Sequence, residues 1–217
     1  SHRKPPYNIK GTRHGQTDWN VEGKVQGSTD IPLNETGRRQ AACLAKGMAG
    51  RPVVQIFSSR LKRAFETART VGESQNVRVE TVEGLEEISF GEWEGLTWKD
   101  IEKTYPREYK LWWENPTGIA PTGGETREAL ERRAGQAARR MLARAKGDFA
   151  VVVHGGIMAY LAGYLLRANQ DTQDGTGKKE SRSIIVENAS ITTLDYDAVS
   201  RTAVLVEEND VSHLRDL

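Results

Sequence analysis

Apolar and β-branched positions gather in short runs bounded by turn residues, at 52–58 (PVVQIFS), 77–82, 149–153 (FAVVV), 183–194 and 202–206. Runs of this length and composition predict strands. Between them the spacing of apolar positions changes to that of helices. Asn34-Glu35-Thr36-Gly37 leads into a helix reaching about Ala49, and further helices are predicted over about 61–74, 98–113, 125–146 and 157–167. Strands alternating with helices build a mostly parallel sheet covered on both faces, so the expected fold class is α/β, a three-layer sandwich.

Two segments interrupt the alternation. The first, 93–124, holds Trp93, Trp98, Trp112, Trp113, Tyr105 and Tyr109 together with Pro106, Pro116 and Pro121, and reads as a small cap insertion centred on about 97–124. The second, 170–182 (QDTQDGTGKKESR), has no apolar residue and two glycines, which predicts an exposed flexible loop rather than a linker. The whole chain, 1–217, is therefore expected to form a single domain with one inserted subregion.

Composition narrows the function classes. Hydrophobic residues make up 37% and charged residues 28%, and no apolar run approaches the roughly 20 residues of a membrane span, so no membrane partner is expected. The 31 Lys and Arg offset 30 Asp and Glu to a net charge of +1, which gives nucleic acid no global field to follow. Any affinity for anions must be local. Cys43 is the only cysteine, which excludes an intrachain disulfide and a zinc site built on several thiolates. The opening Ser1-His2-Arg3-Lys4-Pro5-Pro6 lacks the apolar stretch of a secretory signal, so a cytoplasmic location is expected.

The chemistry lies in ordered motifs: Thr12-Arg13-His14-Gly15-Gln16-Thr17-Asp18-Trp19-Asn20, then Gln26-Gly27, then Pro32-Leu33-Asn34-Glu35-Thr36-Gly37. Ser58-Ser59-Arg60-Leu61-Lys62-Arg63-Ala64-Phe65-Glu66-Thr67-Ala68, Leu85-Glu86-Glu87-Ile88-Ser89-Phe90-Gly91-Glu92-Trp93-Glu94-Gly95 and Val153-His154-Gly155-Gly156 complete the series. Over about residues 7 to 215 this order resembles the histidine phosphatase superfamily, the phosphoglycerate mutase-like proteins, whose Arg-His-Gly signature follows the first strand. The predicted strands agree, because Arg13-His14-Gly15 and His154-Gly155-Gly156 both follow strands, at the carboxyl edge where open α/β sheets bind ligands. One departure stands out: the family places apolar residues before Arg-His-Gly, whereas Lys10-Gly11 here make a poor buried strand.

Cleaving a phosphate monoester requires a nucleophile, neutralisation of the phosphoryl oxygens and protonation of the leaving alkoxide. A neutral imidazole attacks phosphorus through Nε2 when a carbonyl holds Nδ1–H, and His14 fits that role beside Gly15. Arg13 and Arg63 offer the planar forks that match phosphate oxygens, and His154 adds a further donor. The resemblance also implies that Asn20, the Gln26-Gly27 region and the Gly155 amide complete the phosphate pocket, and that Glu87 is the general acid. Partial burial near Phe90 and Trp93 is the expected means of holding its proton. No cofactor and no metal are implied.

Weaker readings stand beside these. Arg60 competes with Arg63 for the clamp, and Glu86 with Glu87 for the acid; the Arg-Ala-x-x-Thr-Ala pattern and the count back from Gly91 favour Arg63 and Glu87. His2 reads as a tail residue and His213 as structural. The tryptophans read first as packing, and Arg132, Arg133, Arg139 and Arg140 as a solvated helix face.

The expected activity is a metal-independent phosphomonoesterase acting on a small phosphorylated metabolite, within the phosphatase branch that includes broad-specificity and α-ribazole-phosphatase-like members. Phosphoglycerate mutases carry Gly-Asn-Ser after the second histidine, whereas this chain has Gly155-Gly156-Ile157. The alternatives are such a mutase, a phospho-ligand-binding protein without turnover, and a metal-dependent hydrolase. For the last the chain lacks a His-x-x-x-His or cysteine ligand set. Substrate choice is expected to reside in the cap.

Overall fold

The computed structural model describes residues 6–115, 119–167 and 184–217. Its sheet has six strands, β1 (Tyr7–Arg13), β2 (Gln55–Ser58), β3 (Val79–Thr81), β4 (Phe149–Val153), β5 (Ile191–Asp197) and β6 (Thr202–Asp210), in the order β3-β2-β4-β1-β5-β6. The first four in that order run parallel, while β5 is antiparallel to β1 and β6 to β5. Helices α2 (Glu35–Met48) and α3 (Lys62–Gln75) cover one face, and α6 (Arg127–Arg144) and α7 (Gly155–Arg167) the other. A short α1 (Asp18–Glu22), absent from the apolar pattern, follows β1. No helix among the described residues is long and apolar enough to cross a membrane.

The central strand β4 shows how the sequence makes three layers. Every residue of Phe149–Val153 is buried, and alternation sends Ala150 and Val152 to one core with Leu44, Met48, Ala64, Ala68 and Ile191. Phe149, Val151 and Val153 enter the other, with Leu130, Ala134, Met141, Ile157 and Leu161. A continuous apolar run is what a strand buried on both sides requires.

Three predicted elements need correction. The helix expected over 98–113 is two, α4 (Trp98–Thr104) and α5 (Pro106–Glu114), because Pro106 lacks the N–H needed to continue a helix and instead occupies the first turn of a new one. The strand expected over 183–194 starts only at Ile191. Residues just before it cross the end of β1, where Ala189 N donates to the carbonyls of Arg13 (2.8 Å) and His14 (3.2 Å). The poor strand expected at Lys10-Gly11 is a full central strand between β4 and β5. Lys10 is buried there with its ammonium on Asn8 Oδ1, and its pKa is lowered by burial while Asp148 and Asp195 oppose the fall. The space Gly11 leaves is taken by Met158, whose sulfur would lie 3.7 Å from a Cβ. The loop expected over 170–182 lies outside the described residues.

The cap lies between β3 and α6 in the chain, and its rings pack on one another. Phe90 and Trp93 pack on Trp112 with centroids 5.6 and 5.8 Å away, Trp98 joins them, and Trp93 Nε1 donates to Glu108 at 3.1 Å.

Behind β1 the chain passes the first turn of α2 at backbone contact. Asn34 Oδ1 caps that turn at Gly37 N (2.8 Å), and a Cβ on Gly15 would stand 2.6 Å from Gly37 O. A Cβ on Gly37 would overlap the Gln16 carbonyl oxygen. Gly37→Ala is therefore predicted to cost about 1–3 kcal/mol by overpacking, lowering Tm by about 2–12 °C in a thermal melt. An unchanged Tm would mean that this crossing has slack.

Candidate active site

Adjacent strands deliver the site. β1 ends at Arg13, and His14 N extends the β1–β4 ladder to Val153 O at 3.0 Å, placing His14 beside His154. The two imidazoles are buried, with ring centroids 5.2 Å apart. β2 ends at Ser58, and the first turn of α3 brings Arg63 into the same buried region. All of this happens at the carboxyl edge of the parallel strands, where helix starts and strand ends leave groups for a ligand.

The protonation of His14 follows from its partner. Its Nδ1 lies 2.6 Å from Gly15 O, a carbonyl that only accepts, so Nδ1 carries the ring proton and Nε2 keeps a lone pair. Burial pushes the His14 pKa well below 6.5, the nearby Arg63 and Arg13 push it further, and the Gly15 bond opposes them. His154 is held neutral in the same way, by burial first and then by Arg63, His14 and Arg13.

The guanidiniums remain charged. Burial lowers Arg63 to about 10, with Glu87, Asp30 and Glu94 opposing the fall. Its Nη1 and Nη2 donate to Thr29 O and Gly27 O at 2.6 Å each, and Arg13 Nη1 donates to Val186 O at 2.9 Å. Arg13 Nε, Arg63 Nε and His154 Nδ1 are buried side-chain atoms with no hydrogen-bond partner among the described residues. Buried polar groups are ordinarily paired, so three such nitrogens on residues gathered at one sheet edge mark a place suited to an oxyanion.

Burial lowers the pKa of Arg13 as it does that of Arg63, and the charge of nearby Glu87 opposes both falls. Its carboxylate sits on the start of α7: Oε1 accepts from Ile88 N and Ile157 N at 2.9 Å each, and Oε2 from Gly156 N at 2.8 Å. Phe90 and Trp93, the aromatic neighbours expected for this carboxyl, pack on Trp98 and Trp112. Gly156 has a specific reason to lack a side chain, since a Cβ there would lie 2.6 Å from Glu87 Oε1.

The competitors go elsewhere. Arg60 is exposed and pairs with Glu86 at 3.0 Å. Asn20 Oδ1 accepts from Thr17 N (3.0 Å) and Asn188 Nδ2 (3.3 Å), and Thr17 Oγ1 donates to Gln26 Oε1 at 2.7 Å. Asn20 and Gln26 thus brace the loop behind His14, Gly27 holds Arg63 through its carbonyl, and Gly155 packs beside Arg13, 3.5 Å separating its Cβ position from Nε. His213 Nε2 donates to Ala189 O at 2.6 Å.

Sequence reasoning missed several supporting groups. Arg133, read as part of a solvated face, donates to the carbonyls of Gly84 (2.7 Å), Glu86 (2.6 Å) and Glu87 (3.3 Å) and pairs with Glu125, so it holds the segment that carries Glu87. Asn188 Nδ2 donates to His14 O at 3.0 Å, from a stretch whose apolar pattern suggested a strand. Ser59 Oγ lies 2.8 Å from His154 Nε2 and was legible only as part of a motif. Among the described residues, no three His, Cys, Asp or Glu side chains are grouped to hold a metal ion.

Residues 12–209 match the family model described as "Histidine phosphatase superfamily (branch 1)". The glucosyl-3-phosphoglycerate phosphatase of Mycobacterium tuberculosis is 35% identical over 177 residues, 76% of this chain and 79% of that protein. The metal-independent phosphoserine phosphatase of Arabidopsis thaliana is 32% identical over 207 residues, 93% of this chain and 81% of that protein. The α-ribazole phosphatase of Shigella flexneri superposes with a TM-score of 0.80, covering 94% of this chain and 96% of that one, and at 24% identity this likeness is one of fold. With the family match spanning most of the chain and the two histidines side by side at the sheet edge, this protein belongs to branch 1 of the histidine phosphatase superfamily.

Proposed function

We propose that this chain is a metal-independent phosphomonoesterase that hydrolyses a small phosphorylated metabolite through a phosphohistidine on His14. The observation that carries the reading is the His14 Nδ1 contact with Gly15 O, which leaves Nε2 as a neutral nucleophile between two charged arginines. Arg13, Arg63 and His154 bind the phosphoryl oxygens and, with the Gly155 amide, neutralise the charge that develops on them. Asn20, Gln26 and Gly27 act through the loop that positions these groups.

In the first step His14 Nε2 forms a bond to phosphorus as the P–O bond to the leaving group breaks. The departing oxygen takes the electron pair and a proton from Glu87. In the second step water attacks the phosphohistidine, Glu87 takes a proton from it, and the P–N bond breaks with its electrons returning to Nε2. The cap at about 97–124 selects the substrate in this reading, and Trp113, half of whose surface is exposed, is the ring there most open to contact. A cytoplasmic single-domain enzyme is the form in which we expect it to act.

His14→Ala is predicted to abolish both phosphate release and covalent labelling. Glu87→Gln is expected to slow alkyl phosphate cleavage by about 10²- to 10⁴-fold, while p-nitrophenyl phosphate still phosphorylates His14 and the intermediate accumulates. Rapid quench and mass spectrometry under alkaline conditions reads both. Label on a serine, or label persisting in His14→Ala, overturns the mechanism.

Gly156→Ala pushes a methyl group against the Glu87 carboxyl. We expect it to slow alkyl substrates about 10²-fold and aryl phosphates far less, with Tm nearly unchanged. Equal losses on both substrates would dissociate Gly156 from Glu87.

The depressed His14 pKa sets the acid limb. Protonation of Nε2 removes the nucleophile, and the folded protein resists protonation to below pH 6.5, so kcat/KM corrected for substrate ionisation is predicted to hold its plateau through pH 6.5 and to fall only at lower pH. An acid limb centred at or above 6.5 contradicts the neutral, buried imidazole.

A further inference from the structure

Ser59 stands one residue past the end of β2 and one strand away from His154. Its N–H donates to Val152 O at 3.0 Å, and Ser58 Oγ donates to its carbonyl at 2.8 Å, so its backbone is tied to the strand that leads into His154. The side chain is fully buried. Its Oγ accepts from Leu61 N at 3.3 Å and lies 2.8 Å from His154 Nε2.

A neutral imidazole carries one proton on one of two nitrogens, and the partners decide which. If Nε2 carried it, Ser59 Oγ would accept two N–H groups, its own O–H would have no acceptor among these contacts, and Nδ1 would be a bare lone pair buried without a donor. If Nδ1 carries it, Ser59 accepts from Leu61 N, donates to Nε2, and satisfies every group except one. That group is the Nδ1–H, a third buried and unpartnered N–H beside Arg13 Nε and Arg63 Nε. The second arrangement leaves fewer unmade hydrogen bonds in a region where each costs free energy.

We propose that Ser59 is a positioning residue that locks His154 in its Nδ1–H tautomer, so that His154 meets the phosphoryl group as a neutral hydrogen-bond donor. The two histidines then share a tautomer with opposite results. In His14 the Gly15 carbonyl takes Nδ1–H and frees the Nε2 lone pair for attack. In His154 the Ser59 hydroxyl occupies Nε2 and leaves Nδ1–H to donate. One ring is thereby fixed as nucleophile and its neighbour as donor, and neither needs to change protonation when the substrate binds.

The acceptor's identity as a phosphoryl group rests on the phosphatase reading, but the tautomer belongs to the free protein. Long-range ¹H–¹⁵N correlation spectra of ¹⁵N-labelled protein identify the protonated ring nitrogen, and His154→Gln assigns the His154 signals among four histidines. The expected wild-type spectrum has Nδ1–H on His154. Ser59→Ala is expected to shift it toward Nε2–H and to lower kcat/KM on p-nitrophenyl phosphate about tenfold, the worth of one buried hydrogen bond, whereas Ser59→Thr keeps the hydroxyl, the tautomer and the rate.

A wild-type His154 with Nε2–H overturns the proposal, and so does a Ser59→Ala protein whose tautomer is unchanged, even if its Tm falls. An Nδ1–H spectrum that responds to Ser59→Ala in a protein releasing no phosphate overturns the phosphatase reading and leaves the Ser59 lock standing. An active phosphatase with Nε2–H on His154 does the reverse.

Discussion

The site depends on burying two guanidiniums and two imidazoles together while only the guanidiniums are charged. Arginine tolerates this because its pKa starts so high that burial brings Arg63 only to about 10. Histidine does not, since the same burial and the same cations drive His14 and His154 well below their ordinary value. The pocket therefore sorts its basic groups into fixed charges and neutral ones. Burying Arg13 and Arg63 costs solvation, which main-chain carbonyls at Val186, Gly27 and Thr29 and the charge of Glu87 partly offset. What remains is positive potential around neutral imidazoles, an electrostatic environment suited to an incoming phosphate.

This sorting needs the two histidines adjacent, and adjacency comes from one parallel strand pair. Arg13 lies opposite Val153 in the β1–β4 register, so the next residue of each strand is a histidine at the same edge. The strand with the least apolar sequence thus occupies the position on which the chemistry depends most. β1 is tolerated at the centre because Lys10 finds Asn8 with Asp148 and Asp195 nearby, and because Met158 fills the side Gly11 leaves bare. All of these except Asn8 lie far away in sequence, which is why the local pattern of residues 7–12 read as a weak strand.

The same distinction governs what was legible elsewhere. Elements whose burial is written in their own residues, such as β4 with FAVVV or α2 with its Asn34 cap, appear in the sequence with nearly correct ends. The split of one expected helix into α4 and α5 is local as well, since Pro106 alone dictates it. The antiparallel direction of β5 and β6, the path of residues 184–190 across β1, and the turning of Arg133 toward the Glu87 segment depend on contacts that no local window contains. Of the site, motif order pointed to His14, His154, Arg13, Arg63 and Glu87, which the fold brings together. It was silent on what holds them, because Ser59, Gly156 and Asn188 act through single hydrogen bonds or through the absence of a methyl group.

The pocket and the cap are built from different materials, and this bears on how one chemistry serves several substrates. Four groups of the pocket are held by the main chain: His14 by Gly15 O, Arg63 by Gly27 O and Thr29 O, Arg13 by Val186 O, and Glu87 by the N–H groups of Ile88, Gly156 and Ile157. Main-chain partners do not change with side-chain identity as long as the backbone path is kept. The cap, by contrast, is held by ring against ring, with Phe90, Trp93, Trp98 and Trp112 packed on one another. None of these rings is a partner in the hydrogen bonds just named. Such an arrangement lets one set of contacts vary while the other stays fixed, which fits a superfamily whose members are named for glucosyl-3-phosphoglycerate and for phosphoserine alike.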